Sequence, residues 1–158
     1  MSDELQPLRA WLAAHPDPAE PIATVGGGET VIDDDGKKTT IMPYAIYGRT
    51  MDAFWAALNG LPGWTYQATG GYLDVTHRWL RAAGKRTVAP DDFARMDRSN
   101  VLHFLRWIDR GEKFCTGHWA GCYEGGLIHA AARALLVLPI PVPVTQARGE
   151  EEQGELDL

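Results

Sequence analysis

The amino-acid sequence predicts a mainly α fold, a compact bundle of four to six helices with a small N-terminal β-hairpin. Apolar side chains recur at helical spacing in several separate stretches, Gly and Pro punctuate the intervals, and an Asp-Gly pair separates two short β-prone runs. At 158 residues, 45% hydrophobic and 23% charged, the chain has the size and apolar content of one domain with one core.

The first helix occupies residues 1–16. Ser2 followed by Asp3 and Glu4 reads as an N-cap with acids in the first turn, Leu5, Leu8, Trp11 and Leu12 repeat at helical spacing, and His15-Pro16 stops them. Residues 17–40 then form a linker and the first hairpin strand. Pro18, Pro21 and the run Gly26-Gly27-Gly28 suit neither a helix nor an interior strand. Residues 30–33 and 38–47 flank Asp35-Gly36, a pair suited to a tight turn, and Pro43 confines the second run to an edge or ends it early.

A helical core domain is expected over residues 41–144. Met51, Phe54, Trp55 and Leu58 make one apolar stripe, closed by Asn59-Gly60 and Pro62. Leu73, Thr76, Trp79, Leu80 and Ala83 make a second, closed by Gly84. Pro90-Asp91-Asp92 opens a short helix, and Ser99 caps another in which Val101, Leu102, Leu105 and Ile108 face inward as far as Gly111. The last helix is expected from about 116 to 138, where Pro139, Pro141 and Pro143 forbid continuation. Residues 145–158 hold one leucine pair and no aromatic, the composition of a disordered acidic tail.

Charge is segregated along the chain. Three basic side chains face eight acidic ones in residues 1–38, eleven face eight in 39–144, and one faces five in 145–158, for a net charge of -6. A mildly basic body thus lies between acidic ends, either simply solubilising or able to engage a basic partner. The most apolar segment, residues 127–144, is broken by His129, Arg133 and prolines, so it cannot span a bilayer. The N-terminus lacks the basic start and apolar run of a signal peptide, and the expected location is the cytoplasm, with Cys115 and Cys122 as thiols.

The densest chemistry lies in residues 113–129, KFCTGHWAGCYEGGLIH. On one regular helix Cys115, His118, Trp119, Cys122 and His129 share a face, and Gly117, Gly121 and Gly125 share another. Cys115 and Cys122 would then stand about 10.5 Å apart along the axis, too far to bind one zinc ion or to form a disulfide. No metal site and no cofactor are expected. A catalytic reading would centre on Cys115, His118 and Glu124, with Cys115 activated near a helix N-terminus. The three glycines read as a stripe for close helix packing, because each costs about 1 kcal/mol relative to Ala and must be offset by a near neighbour. A second set, Arg78, Arg81, Arg106, Trp107 and Arg110, interleaves basic and aromatic side chains that could hold phosphates and stack bases, although solvated surface with a partly buried Trp is the preferred reading. Asp33, Asp34 and Asp35 lack the spaced ligands of a calcium loop and read as a turn.

The stretch from IMPYAIYG at Ile41 through FLRWIDRGEKFCTGHWAGCYEGGLIHAAARAL resembles a bacterial and phage family catalogued only as a domain of unknown function. The MPY entry, the helix ending Arg110-Gly111-Glu112, and Phe114, Gly117 and Glu124-Gly125-Gly126 carry the resemblance over roughly residues 41–138. It implies a compact helical domain and brings no activity, cofactor or catalytic residue. The favoured expectation is therefore a small soluble accessory binding protein of a phage-related, immunity or counter-defence kind, whose partner is another protein. A nucleotide or single-stranded nucleic-acid binding module is the first alternative, an enzyme with a Cys/His/Glu site the second; no membrane partner is expected.

Overall fold

The computed structural model describes residues 3–19, 21–113 and 116–140. Helix α1 (Gln6–Ala14) leads into strands β1 (Ala23–Gly26), β2 (Thr30–Ile32), β3 (Lys38–Thr40) and β4 (Tyr44–Tyr47), and then into α2 (Arg49–Asn59), α3 (Tyr72–Ala82) and a 3-10 segment, Pro90–Arg95. Helices α4 (Arg98–Glu112), α5 (His118–Glu124) and α6 (Leu127–Val137) complete it. The described residues are mainly α, as expected, with one helical segment more than the upper expected count.

One apolar cluster unites the helices. Leu8 and Trp11 of α1 meet Met51, Phe54 and Leu58 of α2, Val101, Leu105 and Ile108 of α4, Trp119 of α5, and Ile128 and Leu135 of α6. Trp11 sits near its centre, 4.7 Å from the Phe54 ring, and its indole N–H donates to the Thr50 carbonyl at 2.9 Å. The amphipathic repeat in residues 1–16 therefore feeds the same core as the domain that follows. Its N-terminus differs from expectation: the helix begins at Gln6 with Pro7 in the first turn, and Asp3 Oδ1 accepts from the Leu5 N–H at 3.1 Å. Ser2 lies outside the described residues, as do Cys115 and the expected acidic tail at 145–158.

One further cap and one helix face differ from expectation. Asp97, not Ser99, is the N-cap of α4, its Oδ1 accepting from the Asn100 N–H at 2.7 Å. In α3 the inward positions include Tyr72 and Thr76, whereas Leu73 is 45% exposed. The expected single helix over 116–138 is two. Gly117 opens α5 with φ +87° and Gly126 separates α5 from α6 with φ +77°, left-handed conformations that cost a side-chain-bearing residue dearly. The glycine stripe is accordingly corrected. Gly117 and Gly125 are the end residues of a short helix, and a Cβ at Gly121 would meet nothing within 4 Å, so no neighbouring helix occupies that face.

The residues read as a linker contain a strand. β1 pairs antiparallel with β4 and β2 with β3, and both pairs keep one register: Ala23 faces Tyr47, Gly26 faces Tyr44, Thr30 faces Thr40, Ile32 faces Lys38. The four strands are thus one two-stranded ribbon with an interruption around Gly27-Gly28 and Met42-Pro43. Bonds from the Gly28 N–H to Ile41 O at 2.7 Å and from the Ile41 N–H to Glu29 O at 2.9 Å span the break.

Candidate functional site

The ribbon presents a feature that composition alone hides. At its tip the Gly36 N–H donates to Asp33 O at 2.9 Å, Gly36 has φ +75°, and Asp33 and Lys37 close the loop, the three-residue turn that Asp34-Asp35-Gly36 favours. Asp33 Oδ1 also accepts from the N–H groups of Asp35 and Lys37, at 3.1 and 2.7 Å. Every residue of β2 and β3 is exposed. Because side chains alternate along β4, Tyr44 and Ile46 fall on one face, each 48% exposed, and Met42 and Ile32, further toward the tip, are 78 and 60% exposed. Val25, on the other face, is 80% exposed.

The base of the ribbon is fixed to the helices by its other face. Tyr47 packs edge-on against Trp55 at 5.3 Å, and the Ala120 N–H donates to its hydroxyl oxygen at 3.4 Å. The Ala45 N–H donates to Thr116 Oγ1 at 2.8 Å, and the Gly48 N–H to Ile22 O at 3.2 Å. Glu112 ties this corner together: its carboxylate accepts from the N–H groups of Gly117 and Trp119 at 2.8 and 2.9 Å, satisfying the start of α5. Burial, then the hydrogen bond and charge of Glu112, lifts the Tyr47 hydroxyl well above its usual pKa.

The proposed catalytic set does not assemble among the described residues. Cys115 lies outside them. His118 opens α5 with its ring edge-on to Trp107 at 4.9 Å, and its Nδ1 is buried without a partner beside Gly111, where any Cβ would strike the ring. Glu124, at the other end of α5, is exposed, and no hydrogen bond or ion pair joins it to His118. The cysteine that His118 does approach is Cys122, on the same wall of a cavity of about 280 Å³ with Thr76, Phe104 and Trp107. Burial, with the charge of Glu112 adding to it, pushes the Cys122 thiol up to about 11, the opposite of an activated nucleophile. Among the described residues no three His, Cys, Asp or Glu side chains form a metal-binding group.

The basic and aromatic set is likewise dispersed. Arg78 and Arg81 are exposed on the outer face of α3. Arg106 is buried between Trp64 and Tyr66, its guanidinium carbon 3.8 and 4.4 Å from the ring centres, with Nε donating to Thr69 Oγ1 at 2.9 Å and Nη1 to Asp109 at 3.1 Å. Both of its faces are covered, so it offers none to a base. The hydroxyls of Tyr72 and then Tyr66 favour the charged form of Arg110, and Trp107 packs instead against Phe104 at 5.6 Å and His118 at 4.9 Å. Sequence reasoning missed the Trp64–Arg106–Tyr66 stack because Trp64 and Tyr66 lie between two expected helices, and missed the Glu112 cap because its partners, Gly117 and Trp119, belong to the next helix, whose approach to Glu112 is a tertiary fact.

No helix among the described residues is long and apolar enough to cross a membrane. No family model matches the chain, and no solved structure matches it.

Proposed function

We propose that the protein is a small binding protein that acts by contact with another protein, and that the ribbon is the element it presents. The observation that supports this is the set of exposed apolar side chains, Ile32, Met42, Tyr44 and Ile46, on a two-stranded ribbon standing clear of the core. A ribbon of two strands is marginal in water, and exposed apolar side chains on both faces add nothing to its stability there. A partner surface covering those side chains would supply what the fold withholds.

The charge pattern supports a basic partner. Glu29, Asp33, Asp34 and Asp35 outnumber Lys37 and Lys38 along the ribbon, so the complementary surface is an apolar groove rimmed by basic side chains. The net charge of -6 makes two copies of this chain repel at long range and attracts a basic partner instead. An accessory role of the immunity or counter-defence kind would use such an element to occupy a basic functional surface. Nucleic acid fits this reading poorly, because the ribbon is acidic and Arg106 is already stacked.

A photo-cross-linking residue placed at Met42, with one at Arg81 on the far face of α3 as control, tests the assignment in the producing cell. The expected outcome is one discrete adduct from position 42 alone, with a protein that, once purified, binds the unmodified chain in a salt-weakened complex. Equal adducts from both positions, a cross-linked homodimer, or an adduct that cannot be reconstituted would each contradict it.

A further inference from the structure

Arg98, at the start of α4, is a buried cation that forms no ion pair among the described residues; burial disfavours its charge, and the charge of Glu4 favours it. Its side chain is 4% exposed, Nη1 donates to Leu135 O at 2.9 Å, and Nε and Nη2 are closed to solvent with no partner. The Leu135 carbonyl belongs to the last turn of α6, whose negative end offsets part of the charge. The carboxylates that form ion pairs among the described residues serve Arg9, Lys85, Arg95 and Arg106, and Glu4 acts on Arg98 through its charge without a hydrogen bond or ion pair. A guanidinium taken out of water ordinarily has a carboxylate or phosphate against its donor edge.

Two hollows flank this side chain. One is walled by Arg95, Asp97 and Pro139 and already contains a carboxylate. The other, of about 360 Å³, is walled by Pro62, Ala68 and Leu102 together with Ser99 and His103, and no acid lines it. Donation from His103 Nδ1–H to Ser99 O at 2.7 Å holds that ring in place. The volume lies in the range of small-ligand pockets.

We propose that this second cavity binds a small monocarboxylic acid with an apolar body, its carboxylate paired with Arg98 and its body against Pro62, Ala68 and Leu102. One buried cation balances one negative charge, whereas a phosphate dianion would leave a charge unpaired. Mostly apolar walls call for an apolar body. Because Nε and Nη2 are closed off, the guanidinium must turn toward the cavity on binding, and that turn loosens its bond to Leu135.

Titrating the full chain with hexanoate, and in parallel with hexanol and inorganic phosphate, tests the site by amide NMR. Hexanoate should saturate one site with shifts at Ser99, Leu102 and Leu135, and hexanol should bind at least about tenfold more weakly for want of the ion pair. Arg98→Met should abolish hexanoate binding. Should that variant fail to fold, Ala68→Trp, a change at an exposed position that fills the cavity, should abolish binding with the melting temperature kept. Hexanol binding as well as hexanoate, no saturable binding of hexanoate, or binding untouched by Ala68→Trp would overturn the proposal.

Discussion

Asp92 shows how a single side chain can hold several segments together. Burial by itself would raise its pKa, but Lys85 at 2.6 Å, the Ala89 N–H at 2.8 Å and Arg95 at 2.6 Å together outweigh burial and hold it at about 2. A depressed carboxylate pKa stabilises the fold above the unfolded value near 4 and ceases to do so as pH falls through the folded value. Since Lys85 and Arg95 are partly in water, the contribution is on the order of 1–2 kcal/mol after screening. Asp92→Asn should lower stability by about that much at neutral pH and flatten the pH dependence between about pH 4 and 2 in acid-unfolding curves. An unchanged slope would mean that Asp92 titrates normally. Glu112 plays a comparable part through backbone N–H groups instead of cations, and Cys122, buried and protonated, contributes packing.

At the scale of elements, helix faces were legible because burial repeats with the helical period. Met51, Phe54 and Leu58, and Val101, Leu105 and Ile108, lie inward as their spacing demanded. Helix ends were less so. Ser99 and Asp97 are both good caps, and only the backbone decides between them. The break between α5 and α6 was hidden because Gly125 reads as the end of the Gly117, Gly121, Gly125 packing stripe, and only the left-handed φ at Gly126 marks the break. Gly126→Ala should therefore cost about 1–2 kcal/mol. Its Cβ would have only Pro90 near it, at 3.8 Å, so the cost is conformational and not steric. Denaturant midpoints check this; a neutral substitution would show that the turn relaxes freely. The ribbon was half legible: Asp35-Gly36 marked the turn, but the glycines and prolines that suggested a linker concealed a strand lying on an edge, where such residues are tolerated.

On the scale of the whole molecule, one core of helices carries a ribbon whose exposed apolar side chains it does not cover. The candidate chemistry in residues 113–129 drew attention in the sequence because Cys, His and Gly crowd together there. Folding separates His118 from Glu124, buries Cys122, and leaves Ile32, Met42, Tyr44 and Ile46 as the outstanding exposed group. Those four escaped notice because exposure of an apolar residue on a two-sided ribbon is a tertiary fact, invisible to any count of hydrophobic positions. The central claim is that these side chains bind a basic protein partner. Its most direct measurement is the affinity of the purified partner for the parent chain and for a Met42→Asp, Ile46→Asp variant, together with the thermal stability of both chains. The account expects stability to change by no more than about 0.5 kcal/mol, as at other surface positions, while affinity falls by at least about tenfold. Equal affinities at equal stability would contradict it.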